Sequence, residues 1–132
     1  MALVFPDQGE NIALEAIVNK TSPQNLVLKL YKSNTTPGES DTEATYTEAD
    51  FTGYSAKTLT GSSWGAASGG TIAYAEQTFA SSAAQSNQNV YGYYLVQASS
   101  GKLVYAERFS NGPYGVANDG DEIAVTPTIS AS

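Results

Sequence analysis

The stretch VYGYYLVQASSGKLVYAERFS, residues 90–110, decides the fold of this chain. β-Branched and aromatic residues fill two arms around Ser100 and Gly101, a pattern that predicts an antiparallel β-hairpin. With the turn centred on those two residues, one face of the hairpin forms four cross-strand pairs. They are Ala98 with Leu103, Val96 with Tyr105, Tyr94 with Glu107, and Gly92 with Phe109, which would lie over the glycine.

The opposite face of the predicted hairpin is also apolar. It carries Tyr91, Tyr93, Leu95 and Val104, with Arg108 facing Tyr93. A contiguous apolar patch of that kind is unusual on a lone soluble protein and marks a binding surface. The pattern therefore predicts that these five residues form a protein interface.

The rest of the chain predicts an all-β protein, an antiparallel β-sandwich or small jelly roll, folded as a single domain over residues 1–132. The clearest strand is NLVLKLYKSN, residues 25–34, which places Leu26, Leu28 and Leu30 on the core face. Further alternating runs lie at residues 54–60, 71–80 and 121–130. Pro127 in the last run predicts an edge position, because proline cannot donate to a ladder.

One short N-terminal helix is predicted within residues 5–20. Ile12, Ala13, Ala16 and Ile17 have helical spacing, with Asn11 as a candidate cap. The alternative is a strand, since apolar residues also alternate at positions 12, 14 and 16.

Two polar segments predict loops. Residues 35–50 hold five carboxylates and no basic residue, which favours a solvated loop with one helical turn near residues 47–51. Residues 61–70 read GSSWGAASGG, a glycine-rich loop that Trp64 would anchor.

Composition narrows the classes of function. The 132 residues include no cysteine and no histidine, so thiolate nucleophiles and the commonest general base are missing. The formal charge of −7 opposes binding to phosphate backbones. No apolar run approaches the ~18 residues of a membrane helix, and no secretory signal is visible. We therefore expect no enzyme activity, no cofactor, no nucleic acid partner and no membrane partner.

Three local patterns admit a chemical interpretation, and each has a simpler one. Residues 61–65 fit the G-x-S-x-G pattern, but no histidine could activate the serine, so the match is accidental. The acidic groups at residues 118–122 and 39–50 could bind calcium, although a tight Asp-Gly turn explains the first more simply. The nine tyrosines and Trp64 could stack on sugars, yet their strand positions favour packing and subunit contact.

The chain as a whole resembles small virion structural proteins of tailed bacteriophages. The resemblance rests on MALVFPDQGENIAL at the start, the strand NLVLKLYKSN with its acidic Thr-Pro loop, YTEADFTGYSAKTLTGSSW in the centre, and the closing residues 90–130. It implies a capsid decoration or cement protein on the outer capsid surface of the virion. Its partner would be the major capsid protein, and it would be a homo-oligomer, most simply a trimer. The terminal segments, residues 1–6 and 129–132, could extend along a neighbouring subunit.

Two other functions stay open. One is a phage tail or fibre component that binds host surface glycans through Trp64 and loop tyrosines. The other is a head-tail connector component. Location and copy number in the particle would separate them.

Overall fold

The computed structural model describes residues 3–131, and it is mainly β with one short helix, which confirms the predicted fold class. The helix α1 spans Asp7–Ile17, and single 3₁₀ turns lie at Glu43–Thr45 and Gly61–Ser63. The strands are β1 Leu3–Val4, β2 Leu26–Tyr31, β3 Lys57–Leu59, β4 Thr71–Ala73, β5 Gln77–Ala80, β6 Gln88–Val90, β7 Gly92–Gln97, β8 Leu103–Arg108, β9 Tyr114–Val116, β10 Glu122–Val125 and β11 Thr128–Ser130.

A five-stranded antiparallel sheet forms the centre of the fold, in the order β1-β8-β7-β2-β3. Three two-stranded antiparallel sheets accompany it, β10 with β5, β11 with β4, and β6 with β9. Leu28 and Leu30 are fully buried on the inner face, which confirms the core assignment made for this strand. They share one core with Tyr93, Leu95 and Tyr105 from the central strands and with Phe79, Ile123 and Val125 from β5 and β10.

The other face of the five-stranded sheet carries a second core, within the same chain. Tyr31, Tyr94, Val96, Leu103 and Ala106 from the sheet pack there against Tyr46 from the acidic segment. That segment is therefore not a wholly solvated loop as predicted, and its helical turn lies at residues 43–45 rather than 47–51.

Backbone hydrogen bonds explain how the acidic segment reaches the sheet. Lys32 donates from its amide to the carbonyl of Thr47, and the Ala49 amide donates to the carbonyl of Leu30. The returning chain thus runs beside the end of β2. This arrangement places the Tyr46 ring on the second face, where it stacks on Tyr94 with 5.0 Å between ring centroids.

The predicted hairpin exists, but its register was wrong. Gly92 pairs with Arg108 and Leu95 with Tyr105, whereas Val96 pairs with Leu103, so Val104 is an extra residue in β8. The Gln97 amide donates to the carbonyl of Lys102 and closes the loop. The loop is therefore centred on Ser99 and Ser100, one residue earlier than predicted. A symmetric turn could not anticipate a bulge that moves Tyr105 to the face of Leu95.

The N-terminal helix is confirmed over the alternative strand, but Asn11 is not its cap. The helix begins after Pro6 and ends at Ile17, followed by Asn19 in a left-handed conformation (φ 59°). Gly9 is the buried residue of the helix, and a Cβ there would overlap the carbonyl oxygen of Val104. The absence of a side chain at this position lets the helix approach the sheet edge closely.

Of the three further alternating runs, residues 54–60 contain the single strand β3, and the other two are each divided. Residues 71–80 form β4 and β5, and residues 121–130 form β10 and β11 on either side of Pro127, where the proline interrupts the ladder. Leu3–Val4 and Thr128–Ser130 pair with strands of this chain, so these parts of the termini are not free to extend along a neighbour. Met1, Ala2 and Ser132 lie outside the described residues.

Candidate docking surface

The five residues predicted to form an interface do not share one surface. Tyr93, Leu95 and Val104 are buried in the first core, at 2%, 0% and 7% exposure. These three side chains are not open to a partner, because Phe79, Ile123 and Val125 from β5 and β10 of the same chain share that core with them.

Tyr91 and Arg108 lie together at the margin of the second core. The guanidinium of Arg108 stacks over the Tyr91 ring at 5.2 Å and donates to the carbonyl of Thr35 and the side-chain oxygen of Asn34. Arg108 therefore holds the start of the acidic segment against the hairpin. Both residues are only partly buried, but their observed contacts are internal.

The buried tyrosines act as polar anchors between layers. The hydroxyl of Tyr46 donates to Asp41 at 2.7 Å, and that of Tyr54 donates to Glu48 at 2.7 Å. Burial raises the pKa of Tyr46 and Tyr54, and the carboxylate that accepts each hydroxyl raises it further. Burial likewise raises the pKa of Tyr31 to about 12. These hydroxyls stay protonated and available as donors at neutral pH.

Uncovered apolar area lies instead on α1. Leu14, Ile17 and Val18 are 60%, 77% and 71% exposed, and they are the large aliphatic side chains exposed in the part of the chain that the structure describes. Leu14 and Ile17 lie on one side of the helix at a spacing of i and i+3, and Val18, the residue that caps the helix C-terminus, follows directly after them. We call these three residues the apolar stripe.

The helix leaves this stripe uncovered because it is attached mainly through its first turns. The Asp7 amide donates to the carbonyl of Glu39, and the Leu103 amide donates to the side chain of Gln8. Beyond Gly9 the inward residues Ile12, Ala13 and Ala16 are only partly buried. The last turns of α1 thus stand beside the sheet with little packed on their outer side.

An apolar groove follows the inward side of the same helix. It has a volume of about 360 Å³ and runs between α1 and the loop that carries Trp64. Ile12, Ala16, Trp64, Ile72 and Ile129 contribute to its walls. Trp64 also packs edge-on against Tyr74 at 5.2 Å, so it anchors this loop as predicted.

Three carboxylates lie at the other end of the helix. Asp7 and Glu10 in the first turn and Glu39 from the acidic segment have side-chain oxygens within 4.8 Å of one another, and all three residues are exposed. We call them the acidic cluster. Negative charge in the first turn stabilises a helix by interacting with its dipole, whereas three neighbouring carboxylates repel one another.

Five of the six basic side chains make contacts within the chain. Lys20, Lys29 and Lys32 form ion pairs with Glu15, Glu48 and Asp50. Lys57 lies over the Phe79 ring at 5.3 Å, and Lys102 is in the hairpin loop.

The other patterns noted in the sequence have structural roles. In the 118–122 turn, the Asp121 carboxylate accepts from the amides of Ala117 and Asn118, and these bonds lower its pKa. Residues 61–63 of the G-x-S-x-G pattern form a 3₁₀ turn that follows the edge strand β3, with Trp64 as the cap.

Comparison with known proteins finds no family model that matches this chain and no curated protein similar to it. Among residues 3–131, no helix combines the length and apolarity needed to cross a bilayer.

The arrangement is suited to binding a protein through α1. This surface was not predicted from the sequence, because Ile17 was grouped with Ile12, Ala13 and Ala16 in one series of helical spacing. Positions 7, 10, 14, 17 and 18 repeat at helical spacing, so a helical wheel that included the acids would have found a second face.

Proposed function

We propose that this protein is a structural component of a bacteriophage particle, a capsid decoration protein that binds the outer surface of the head shell at capsomer junctions and stabilises it. The observation that carries the proposal is the apolar stripe on a domain whose two sheet faces are otherwise filled from within. The resemblance of the whole sequence to small phage virion proteins supplies the class of partner, the major capsid protein.

The physical argument begins with the cost of exposing the stripe. Each large aliphatic side chain that leaves water contributes roughly 25 cal/mol per Å² of apolar area. Leu14, Ile17 and Val18 gain only the smaller part of this in the free protein, where most of their surface stays exposed. A partner that covers them would therefore bind without first displacing anything from the core.

A decoration protein also needs stiffness, because it must resist the separation of capsomers under internal pressure. The five-stranded sheet has a packed core on each face, which supports such a role. By mass action, a protein that binds only the assembled shell stabilises the assembled shell. This role requires no catalytic residue.

A trimer on the shell follows most simply from shell symmetry. Three copies placed around a local three-fold position would each use the same contact. Under this proposal the α1 face is directed to the shell, and the hairpin is not the subunit contact.

The two alternative functions draw less support from the described residues. A glycan-binding tail protein would use exposed aromatic platforms, and Tyr114 is the one large aromatic side chain exposed within residues 3–131. A connector component would form a ring, for which the fold offers no particular feature.

The test is the location and copy number of the protein in purified particles. Tailless heads and detached tails would be separated and the protein quantified in each by mass spectrometry. We expect it on the heads in hundreds of copies. Recovery only with tails, or in about a dozen copies, would contradict the proposal and favour one of the alternatives.

A further inference from the structure

We propose that the apolar stripe and the acidic cluster act together as one docking surface, and that its partner is a protein face with an apolar centre flanked by lysine or arginine side chains. The inference deepens the proposed function, on which it rests for the identity of the partner as the head shell.

The first argument is geometric. Asp7, Glu10, Leu14 and Ile17 follow one another at intervals of three, four and three residues, so they occupy one side of α1, and Val18 caps its C-terminus directly after them. The acidic members lie at the start and the apolar members at the end. With a rise of 1.5 Å per residue, Glu10 and Ile17 are separated by about 10 Å along the axis.

The two halves are also continuous in space. A shallow cleft of about 470 Å³ runs beside this side of the helix, and both Glu10 and Glu39 line it together with Leu14 and Ile17. Ser130 and Ala131, at the end of β11, form its other wall. One partner segment could therefore contact the acidic and the apolar members at once.

The second argument is charge complementarity. Three exposed carboxylates within 4.8 Å of one another repel, and a cation placed among them relieves the repulsion. The side chains that can supply such a cation within a protein interface are lysine and arginine, and complementary charges of this kind set orientation and association rate.

A second copy of this chain does not meet the requirement. The chain carries a net charge of −7, and five of its six basic residues are engaged by internal partners. The sixth, Lys102, precedes Leu103, whose amide donates to Gln8 of α1, so a second copy offers one lysine against three carboxylates. An anionic membrane surface would be repelled by the acidic cluster, so the observations favour a different protein.

The experiment uses the full chain and four variants. Ile17→Asp places a charge in the apolar stripe, and Thr126→Asp adds the same charge at an exposed position elsewhere. A triple variant with Asp7→Asn, Glu10→Gln and Glu39→Gln neutralises the acidic cluster. Its matched control carries Glu76→Gln, Asp119→Asn and Glu122→Gln, which remove the same charges from exposed positions away from α1.

Binding would be measured against two probes, head shells prepared without the protein and a short amphipathic peptide of leucine and lysine. Changes in NMR chemical shift of the isotope-labelled protein would show which residues contact the peptide. We expect Ile17→Asp to abolish binding and the acidic-cluster variant to weaken it about tenfold, since each surface ion pair is worth a factor of about two to three. Raised salt should weaken the wild type more than this variant. Both control variants should bind like the wild type.

The failures of the two proposals are distinguishable. Shells that bind the wild type and Ile17→Asp equally, or peptide shifts spread away from residues 7–18 and Glu39, would overturn the docking surface and leave the decoration role standing. Peptide binding at α1 without binding to the shells would support the docking surface and contradict the decoration role. Self-association through α1 in sedimentation, or loss of shell binding on adding a chelator, would also overturn the inference, because either would place something other than a basic protein on this surface.

Discussion

Replacing Tyr46 tests whether the acidic segment truly closes the second face of the hairpin. The Tyr46 ring is 6% exposed and lies 4.8 Å and 5.0 Å from the rings of Tyr31 and Tyr94, between centroids. Truncating a buried aromatic side chain to alanine costs about 3–5 kcal/mol. Tyr46→Phe keeps the ring and removes only the hydroxyl bond to Asp41, which should cost about 1 kcal/mol.

The assay is urea unfolding followed by fluorescence and circular dichroism. With an m-value of about 2 kcal/mol/M, Tyr46→Ala should lower the midpoint by about 2 M and Tyr46→Phe by about 0.5 M. Tyr114→Ala is the matched control, because that ring is 41% exposed, and its effect should stay below about 1 kcal/mol.

The outcome that would refute the reasoning is a Tyr46→Ala protein as stable as the Tyr114→Ala control. The acidic segment would then contribute little to stability, and the face of the sheet that carries Tyr94 and Val96 would be only loosely covered. A dye that binds exposed apolar surface would give an independent reading, with increased binding expected for Tyr46→Ala only.

Three further predictions address the packing and its pH dependence. Leu28→Ala should lower the free energy of unfolding by about 2–5 kcal/mol in urea titrations, since the side chain is fully buried; a near-neutral result would contradict the first core. Gly92→Ala should destabilise by about 1–3 kcal/mol or more in thermal unfolding, because the new Cβ would overlap the carbonyl oxygen of Glu107. Gly38→Ala should be nearly neutral, because a Cβ there would meet only the Asp41 carboxylate, at an ordinary contact distance of 3.6 Å. Stability should fall as the pH rises above 10: the pKa of Tyr31 is raised to about 12 in the folded state, so its stabilising contribution is complete below pH 10 and is lost as the pH approaches 12. Urea midpoints at pH 8 and pH 11 would measure this loss, and equal midpoints would contradict the burial of the hydroxyl.

The parts of the fold that the sequence predicted correctly are those with a regular spacing of apolar residues. The leucines of β2 alternate strictly, and the structure buries Leu28 and Leu30 where that alternation places them. The helix was also recoverable, because apolar residues repeat at its spacing. Both features depend on residues close together in the chain.

The features that sequence patterns missed depend on distant contacts. The bulge at Val104 follows from how β8 meets the hairpin loop and α1, and no local residue preference signals it. The burial of Tyr46 depends on a segment of high charge folding back on β2, so its composition pointed to solvent. Tyr93, Leu95 and Val104 are buried because they share a core with β5 and β10, which the sequence of the hairpin alone does not show.

The candidate site was missed for a related reason. The spacing of Ile17 matches that of the inward residues Ile12, Ala13 and Ala16. The close contact between Gly9 and Val104 shows that the helix packs on the sheet mainly through its first turns. The exposure of Leu14, Ile17 and Val18 is thus a property of docking angle. The spacing of apolar residues in the sequence does not predict the angle at which the helix packs on the sheet.

Covalent surface footprinting of the free and the shell-bound protein tests the central claim most directly. In the free protein, a carbene label read out by mass spectrometry should modify Leu14, Ile17 and Val18 strongly and Tyr93 and Leu95 hardly at all. In the shell-bound protein, labelling of those three residues should be lost, while labelling of Tyr114 should be unchanged. Strong labelling of the hairpin residues in the free protein, or unchanged labelling of the helix on the shell, would contradict the account.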